Sequence, residues 1–352
     1  MRRAVVGLQC EHRGKPPPSA RTCPINIVAP DPGDVNSLEE CHVPSPTCCH
    51  REWSVVLVTL AIAGDALLPR ADAYRGIAPC ERVRHSLASV FSIAEHHDLL
   101  ITHGHVAMNP PDPSPFAYDS EIPFTLDLAS AQTQGVMGYY LAQAFAVSLP
   151  ETHVVSLLTQ TEVSASDPAF HEPDVFVGPA LAASTAHRLE VDRGWHVRTD
   201  GAALRRVVPA LDPVGICELP SIKHLVDIGT LVICAGNGGF PVLRDENGHL
   251  RGIDAIVRRE LAASYLASAV EADALLLLGG DDYVLNTPPG RDGIRDVVPE
   301  TLRGLVHSVP HARSTIEAAA RFVESTGRPA MIGPLDQAEA VLAGHCGTLV
   351  HA

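Results

Sequence analysis

Apolar and polar positions along the chain alternate in blocks that read as strands and helices. The first strong apolar run is Ser54–Ala63, SVVLVTLAIA. It is too short to cross a membrane and reads as a buried strand ending in Ala63-Gly64-Asp65-Ala66. Over Glu81–Asp98, apolar residues fall at Val83, Leu87, Val90, Phe91 and Ala94, which is helical spacing. A second strand, Leu99–Thr102, follows and runs into His103-Gly104-His105. Strand, Gly-containing turn, helix, strand is the grammar of a parallel sheet, and such sheets bind ligands at the carboxyl ends of their strands.

The alternation continues to the end of the chain. Leu126–Ala146 predicts an apolar-rich helix whose small residues Ala131, Gly135 and Gly138 permit close packing. Val154–Thr159 predicts a strand, and Ser164–Pro179 a polar, Pro-punctuated flap of hairpin type. Tyr139 and Tyr140 read as packing residues, and Arg205-Arg206 as a charge pair on a strand edge. Helices are expected over Leu219–Gly229, Asp254–Ala272, Pro299–Leu305 and Ser314–Ser325, with a last helical turn at Gln337–Leu342. Strands are expected at Leu231–Cys234, Ala274–Leu278, Ala330–Ile332 and Thr348–His351. Residues 1–51 carry no such period and are rich in proline, so they are expected to be a disordered extension ahead of one α/β domain spanning 52–352.

The most informative stretch is Leu231–Asp245, LVICAGNGGFPVLRD. A short β-branched run breaks into Gly236-Asn237-Gly238-Gly239, whose glycines let the backbone turn sharply and approach a ligand with N–H groups facing an anion. Composition narrows the classes. A net charge of −15 gives no footprint for a nucleic-acid backbone. Of 26 basic residues only Lys15 and Lys223 are lysines. Nine cysteines without regular spacing argue for a reducing, cytoplasmic setting and against a disulfide framework or a zinc site. No metal-binding cluster and no membrane segment is expected.

Several blocks together resemble carbamate kinase, of the amino-acid-kinase superfamily. They are AQTQGVMGYYLAQAF (131–145), LLTQTEVSASDPAF (157–170), RRVVP (205–209), LVDIGTLVICAGNGGFPV (225–242), TIEAAARFVESTGRPAMIGPL (315–335) and GTLV (347–350). The resemblance covers essentially 52–352. It implies a three-layer αβα sandwich with a mainly parallel open sheet in two lobes, and a homodimer. It implies the reaction carbamoyl phosphate + ADP ⇌ carbamate + ATP with Mg²⁺, a step in arginine and nitrogen catabolism. It places phosphate or substrate binding at Gly64, Asp65, His103, Gly104, Gly236, Asn237, Gly238 and Gly239, and nucleotide binding at Asp281 and Asp282.

The chain departs from that pattern around the phosphate. Gly-Gly-Asn-Ala becomes Ala63-Gly64-Asp65-Ala66, so a Cβ narrows the turn and a carboxylate replaces an amide. His-Gly-Asn-Gly-Pro-Gln becomes His103-Gly104-His105-Val106-Ala107-Met108. Lysines expected in the flap, in Asp-Lys-Asp and in Ser-Met-x-Pro-Lys align with Val175, Arg259 and Thr315. Arg259 is thus the cation left to act on the phosphoryl group, as a planar fork rather than an ammonium. Thr-Asp-Val-Asp becomes Gly279-Gly280-Asp281-Asp282. Two readings stay open: an impaired phosphotransferase using Mg-ATP/ADP, and an inactive ligand-binding or partner subunit.

Overall fold

A computed structural model describes residues 56–68, 76–104, 125–280, 296–307, 309 and 312–352. In chain order the elements begin with β1 (Leu57–Ile62), α1 (Gly64–Leu67), α2 (Pro79–Ser86), α3 (Ala88–Ala94), β2 (Asp98–His103) and α4 (Leu126–Ser148). A run of short strands follows: β3 (Val154–Ser156), β4 (Gln160–Val163), β5 (Val175–Leu181), then α5 (Ala183–Arg193), β6 (His196–Asp200), β7 (Ala203–Val208), β8 (Ala210–Leu211) and β9 (Pro213–Ile216). Next come α6 (Leu219–Asp227), β10 (Leu231–Ile233), β11 (Phe240–Arg244), β12 (Leu250–Gly252), β13 (Ile256–Val257) and α7 (Arg259–Ala269). The chain ends with β14 (Ala274–Gly279), β15 (Asp296–Val297), α8 (Pro299–Gly304), α9 (Arg313–Thr326), β16 (Ala330–Pro334), α10 (Ala338–Leu342) and β17 (Thr348–Val350).

Eight strands form the central sheet, in the order β15-β17-β16-β14-β1-β2-β10-β3. Every pair is parallel except β16–β17. Helices cover both faces, which is why β1 and β14 are continuous apolar runs. On β14, Leu276 and Leu278 join one core with Leu60, Ile62, Ile101 and Phe145. Leu275 and Leu277 point the other way, into a core with Leu261, Ile316 and Phe322. The fold is therefore the expected three-layer α/β sandwich. Three smaller sheets, β12-β11-β4-β9, β13-β8 and β5-β7-β6, carry the remaining strands.

Several expectations change in detail. The helix expected over Glu81–Asp98 is two, α2 and α3, broken at Leu87 with φ −91° and ψ 5°; hydrophobic spacing runs through such a break because Val83, Leu87 and Val90 still face one core. The helix expected from Asp254 starts at Arg259, because Ile256–Val257 pairs with Ala210–Leu211 as a strand. The strand expected over Val154–Thr159 is shorter: β3 ends at Ser156, and β4, which starts at Gln160, belongs to another sheet. The flap holds a 3₁₀ turn at Pro168–Phe170 and then β5, which pairs antiparallel with β7. Tyr139 is 59% exposed rather than packed, while Tyr140 meets the core. Arg205 lies at the surface as expected, but its neighbour Arg206 is buried. Helix α5 and strands β6, β11 and β12 had no clear apolar period in the sequence.

Candidate active site

The carboxyl ends of β1, β2 and β10 meet at one place, and the expected glycine loops gather there. β1 and β2 pair in register from Leu57↔Asp98 to Ile62↔His103, so Ala63-Gly64 and His103-Gly104 emerge side by side. Gly104 donates its N–H to Ile62 O at 2.7 Å, so its contribution here is an absent side chain. A Cβ on Gly104 would stand 2.5 Å from Arg259 Nη1 and 2.6 Å from Gly64 N. The Arg259 guanidinium therefore lies in the cleft between the two loops. Arg259 Nε also donates to Glu260 Oε1 at 2.6 Å. The remaining cavity, about 10 Å³, is lined by Ala63, Thr102, His103, Arg259 and Glu260.

The loop after β10 packs against this cleft. Ala235 and Asn237 both adopt left-handed backbone, with φ 46° and 56°. Such non-glycine strain costs of order 1–3 kcal/mol per residue and persists where the surroundings over-determine it. Here they do. Ala235 N donates to Thr159 Oγ1, and Gly238 and Gly239 donate to Ala235 O and Gly236 O, each at 2.9 Å. The Gly238 and Gly239 N–H groups are therefore spent within the loop rather than free to face an anion, as the sequence had led us to expect. What the glycines supply is close approach. A Cβ on Gly236 would collide with the His103 ring, and one on Gly238 would lie 3.0 Å from Arg259 Cα. Asn237 is left half-buried at the turn.

His103 is 3% exposed, with its ring against Gly236 and Nδ1 3.3 Å from Gly104 O. It braces two loops against each other. Asp65 is exposed in the first turn of α1, where its carboxylate accepts the Ala66 N–H at 3.1 Å and lies outside the small cavity's lining. Ala63 has φ −66°, which any residue adopts, so replacing glycine there strains nothing. Asp281, Asp282, His105 and Val106 lie outside the described residues.

One residue was overlooked in the sequence. Gln134 of α4 is 2% exposed, and its amide holds both backbone groups of Thr159, accepting from N at 2.8 Å and donating to O at 3.2 Å. Thr159 in turn holds Ala235. A glutamine buried in an apolar helix is the signal that points to it.

Beside the small cavity is a cleft of about 620 Å³, between the flap turn at Asp167–Asp174 and the first turns of α7 and α9. Arg258, Arg313 and Arg321 line it, with His171 and Asp212. Asp212 pairs with Arg258 at 3.3 Å and with Arg321 at 3.0 Å. Arg313 is exposed at the start of α9. Thr315, where a lysine was expected, is 4% exposed and does not line the cleft. Cys234, just before the loop, is wholly buried, and burial together with Glu218 raises its thiol far above the ordinary value, so it stays neutral. Among the described residues no group of three His, Cys, Asp or Glu gathers as a metal site, and no helix is long and apolar enough to cross a membrane.

Comparison with known proteins agrees with this architecture. No family model matches the chain. Curated relatives match it along nearly their whole length. Carbamate kinase from Escherichia coli O6:H1 is 33% identical over 300 residues, covering 83% of this chain and 98% of its own. The enzyme from Rhizobium meliloti is 34% identical over 303 residues, covering 83% and 92%. That from Pyrococcus horikoshii is 34% identical over 315 residues, covering 83% and 98%. Among solved structures, carbamate kinase from Giardia lamblia bound to AMP-PNP superposes with a TM-score of 0.73 at 25% identity, covering 85% of this chain and 99% of its own. Sequence, sheet order and the loops gathered at the strand ends agree, and the chain belongs to the carbamate kinase family.

Proposed function

We propose that the chain transfers a phosphoryl group between carbamoyl phosphate and ADP, giving carbamate and ATP, at the cleft where β1, β2 and β10 end. The observation that carries this is the Arg259 guanidinium lodged between Gly64 and Gly104. Phosphoryl transfer asks the protein mainly for positioning and for neutralisation of charge on the moving group. Arg259 supplies the charge, and the Gly236–Gly239 loop shapes the carbamoyl side. The cavity of about 10 Å³ has no room for substrate, so the Arg259 guanidinium that lines it shifts as substrate enters.

The nucleotide fits the neighbouring cleft, whose 620 Å³ is within the usual range for ligand pockets. Arg258 and Arg313 bring positive charge to a lining that also carries Asp167, Glu172, Asp174, Asp212 and Glu317. The Giardia lamblia relative bound to AMP-PNP supports a nucleotide partner. Mg²⁺ would arrive on the nucleotide's phosphates, as it commonly does, with Asp281 and Asp282 as candidate carboxylates by sequence. With Val175 and Thr315 in place of two cations, turnover is slower than in lysine-bearing members.

A second copy of the chain completes the assembly. The outer face of α4 carries Leu128, Gln132, Tyr139, Gln143 and Val147, with no charge among them, and α4 flanks β3 at the edge of the sheet. An uncharged stripe along a 23-residue surface helix fits a homodimer contact.

A coupled assay of ATP formation from carbamoyl phosphate and Mg-ADP tests the reading. Turnover is expected, falling about 100-fold in Arg259→Met, the scale of losing one charge-stabilising group. Val175→Lys is expected to raise the rate. No turnover in the unmodified chain overturns phosphotransfer. A thermal shift with Mg-ADP in that case favours a ligand-binding subunit.

A further inference from the structure

We propose that Arg206, Asp254 and Trp195 form a clasp that holds the flap sheet on the segment carrying Arg259, and so position that guanidinium. The proposal rests on the phosphotransfer reading for its consequence in turnover, but not for its geometry.

Side chains alternate along β7. Arg205 turns outward, to Asp200 at 2.8 Å and Gly178 O at 3.2 Å, and stays within its own sheet. Arg206 turns inward and is 9% exposed. Its Cζ sits 4.1 Å above the centre of the Trp195 ring, and its Nη2 is ion-paired with Asp254 Oδ2. The other oxygen, Asp254 Oδ1, accepts the Leu126 N–H that opens α4, at 3.1 Å. One carboxylate thus joins the flap sheet, the start of α4 and the turn ahead of β13.

From this clasp two short chains run together to the site. Three residues beyond Arg206, Pro209 O accepts Ile256 N at 3.1 Å. Then Ala210 pairs with Ile256 and Leu211 with Val257. Leu211 O accepts Arg258 N at 2.9 Å, and Asp212 holds the Arg258 side chain. Arg259 is the next residue. Between clasp and Arg259 the backbone is hydrogen-bonded with little slack. A displacement of β7 relative to Asp254 is therefore passed to β13 and to the start of α7.

Stability alone is a poor reason for this arrangement. A buried arginine with no hydrogen-bond partner for Nε among the described residues is costly, and apolar residues of similar volume often serve as well or better. What the charged, stacked contact adds is a fixed geometry: the planar guanidinium meets carboxylate on one edge and indole on its face. Since the small cavity is closed as it stands, Arg259 has to move for substrate, and the clasp ties that movement to the flap sheet.

The chain has two tryptophans, Trp53 and Trp195, so a Trp53→Phe background isolates the indole of the clasp. In it, Asp254→Asn and Arg206→Lys are compared with the parent by acrylamide quenching of Trp195, by limited proteolysis within 175–208, and by kcat and KM for ADP. Asp254→Asn keeps an acceptor for Leu126 N and removes only the charge. It is expected to increase quenching, speed cleavage of the flap, and lower kcat about tenfold with KM for ADP little changed, a part of the roughly 100-fold that about 1 Å of misplacement can cost. Arg206→Lys keeps the charge and is expected to recover part of kcat. Unchanged quenching and proteolysis in a folded Asp254→Asn chain overturn the clasp. Increased quenching with unchanged kcat overturns its role in placing Arg259. A parent without turnover fails the phosphotransfer reading alone; quenching and proteolysis then decide the clasp.

Discussion

Gly236 is where the site is most sensitive to one atom. The His103 imidazole and Gln134 Cγ already occupy the space a Cβ would need, the latter at 2.8 Å. Its φ lies outside the left-handed range, so the obstacle is crowding rather than backbone strain. Gly236→Ala is expected to cost about 1–3 kcal/mol, the range for overpacking, and to remove turnover by pushing His103 toward the cleft. Chemical denaturation and the coupled assay check both. Gln134→Ala removes two hydrogen bonds to Thr159 and leaves its buried N–H unpaired, while Thr159 O keeps the Phe240 N–H at 3.0 Å. It is expected to destabilise by about 1–3 kcal/mol, and Gln134→Glu to recover part of this, because a carboxylate still accepts from Thr159 N but cannot donate to Thr159 O. At this scale the sequence pointed to the loops through their glycines. It could not tell which glycine frees an N–H and which makes room for a neighbour. That depends on which side chain the fold brings opposite.

Among the elements, α9 shows how charge ties layers together. Arg303 of α8 bonds to Glu317 at 2.9 Å and to Glu324, and Arg321 links Glu317 to Asp212 beside the cleft. Burial works to raise the Glu317 carboxyl, but hydrogen bonds from Arg303 and Arg321 outweigh it and hold the group below its ordinary value of 4.5. A carboxyl lowered by folding adds stability above its unfolded pKa and loses it as the pH falls through the folded value. The melting temperature is therefore expected to fall in acid below pH 4.5 more steeply for the parent than for Glu317→Gln. Equal slopes from about pH 7 to about pH 3 would remove this network from the pH response. The amphipathic helices α6 and α9, the apolar-rich helix α4 and the buried strands β1, β2 and β14 were legible in the sequence, because pattern and burial agree there. β13 was not. A two-residue strand has no period, and its neighbour β8 lies far away in sequence.

At the scale of the whole molecule, the proposed contact between two copies can be tested at one residue. If the α4 stripe is the contact, Tyr139→Glu places a charge where Tyr139 is 59% exposed in the single chain. The expected outcome is a monomer in analytical ultracentrifugation with little loss of monomer fold, since Tyr139 packs on no core. A dimer that survives the change would locate the interface elsewhere.

The alternation of strands and helices, the mainly parallel sheet, the family and the expectation of a site at the strand ends were read from the sequence. Long apolar runs can only be central strands, and the glycine loops follow them directly. The role of each charge was decided by tertiary structure. Asp65, read as facing phosphate, turns to its own backbone, and Arg206, read as a surface charge, is buried between Trp195 and Asp254. Arg259 reaches the cleft because Gly104 and Gly238 leave room around it. A charge acts over a few ångströms and answers to whatever the chain folds beside it. Its partners here are mostly tens of residues away in sequence, so spacing along the chain cannot name them.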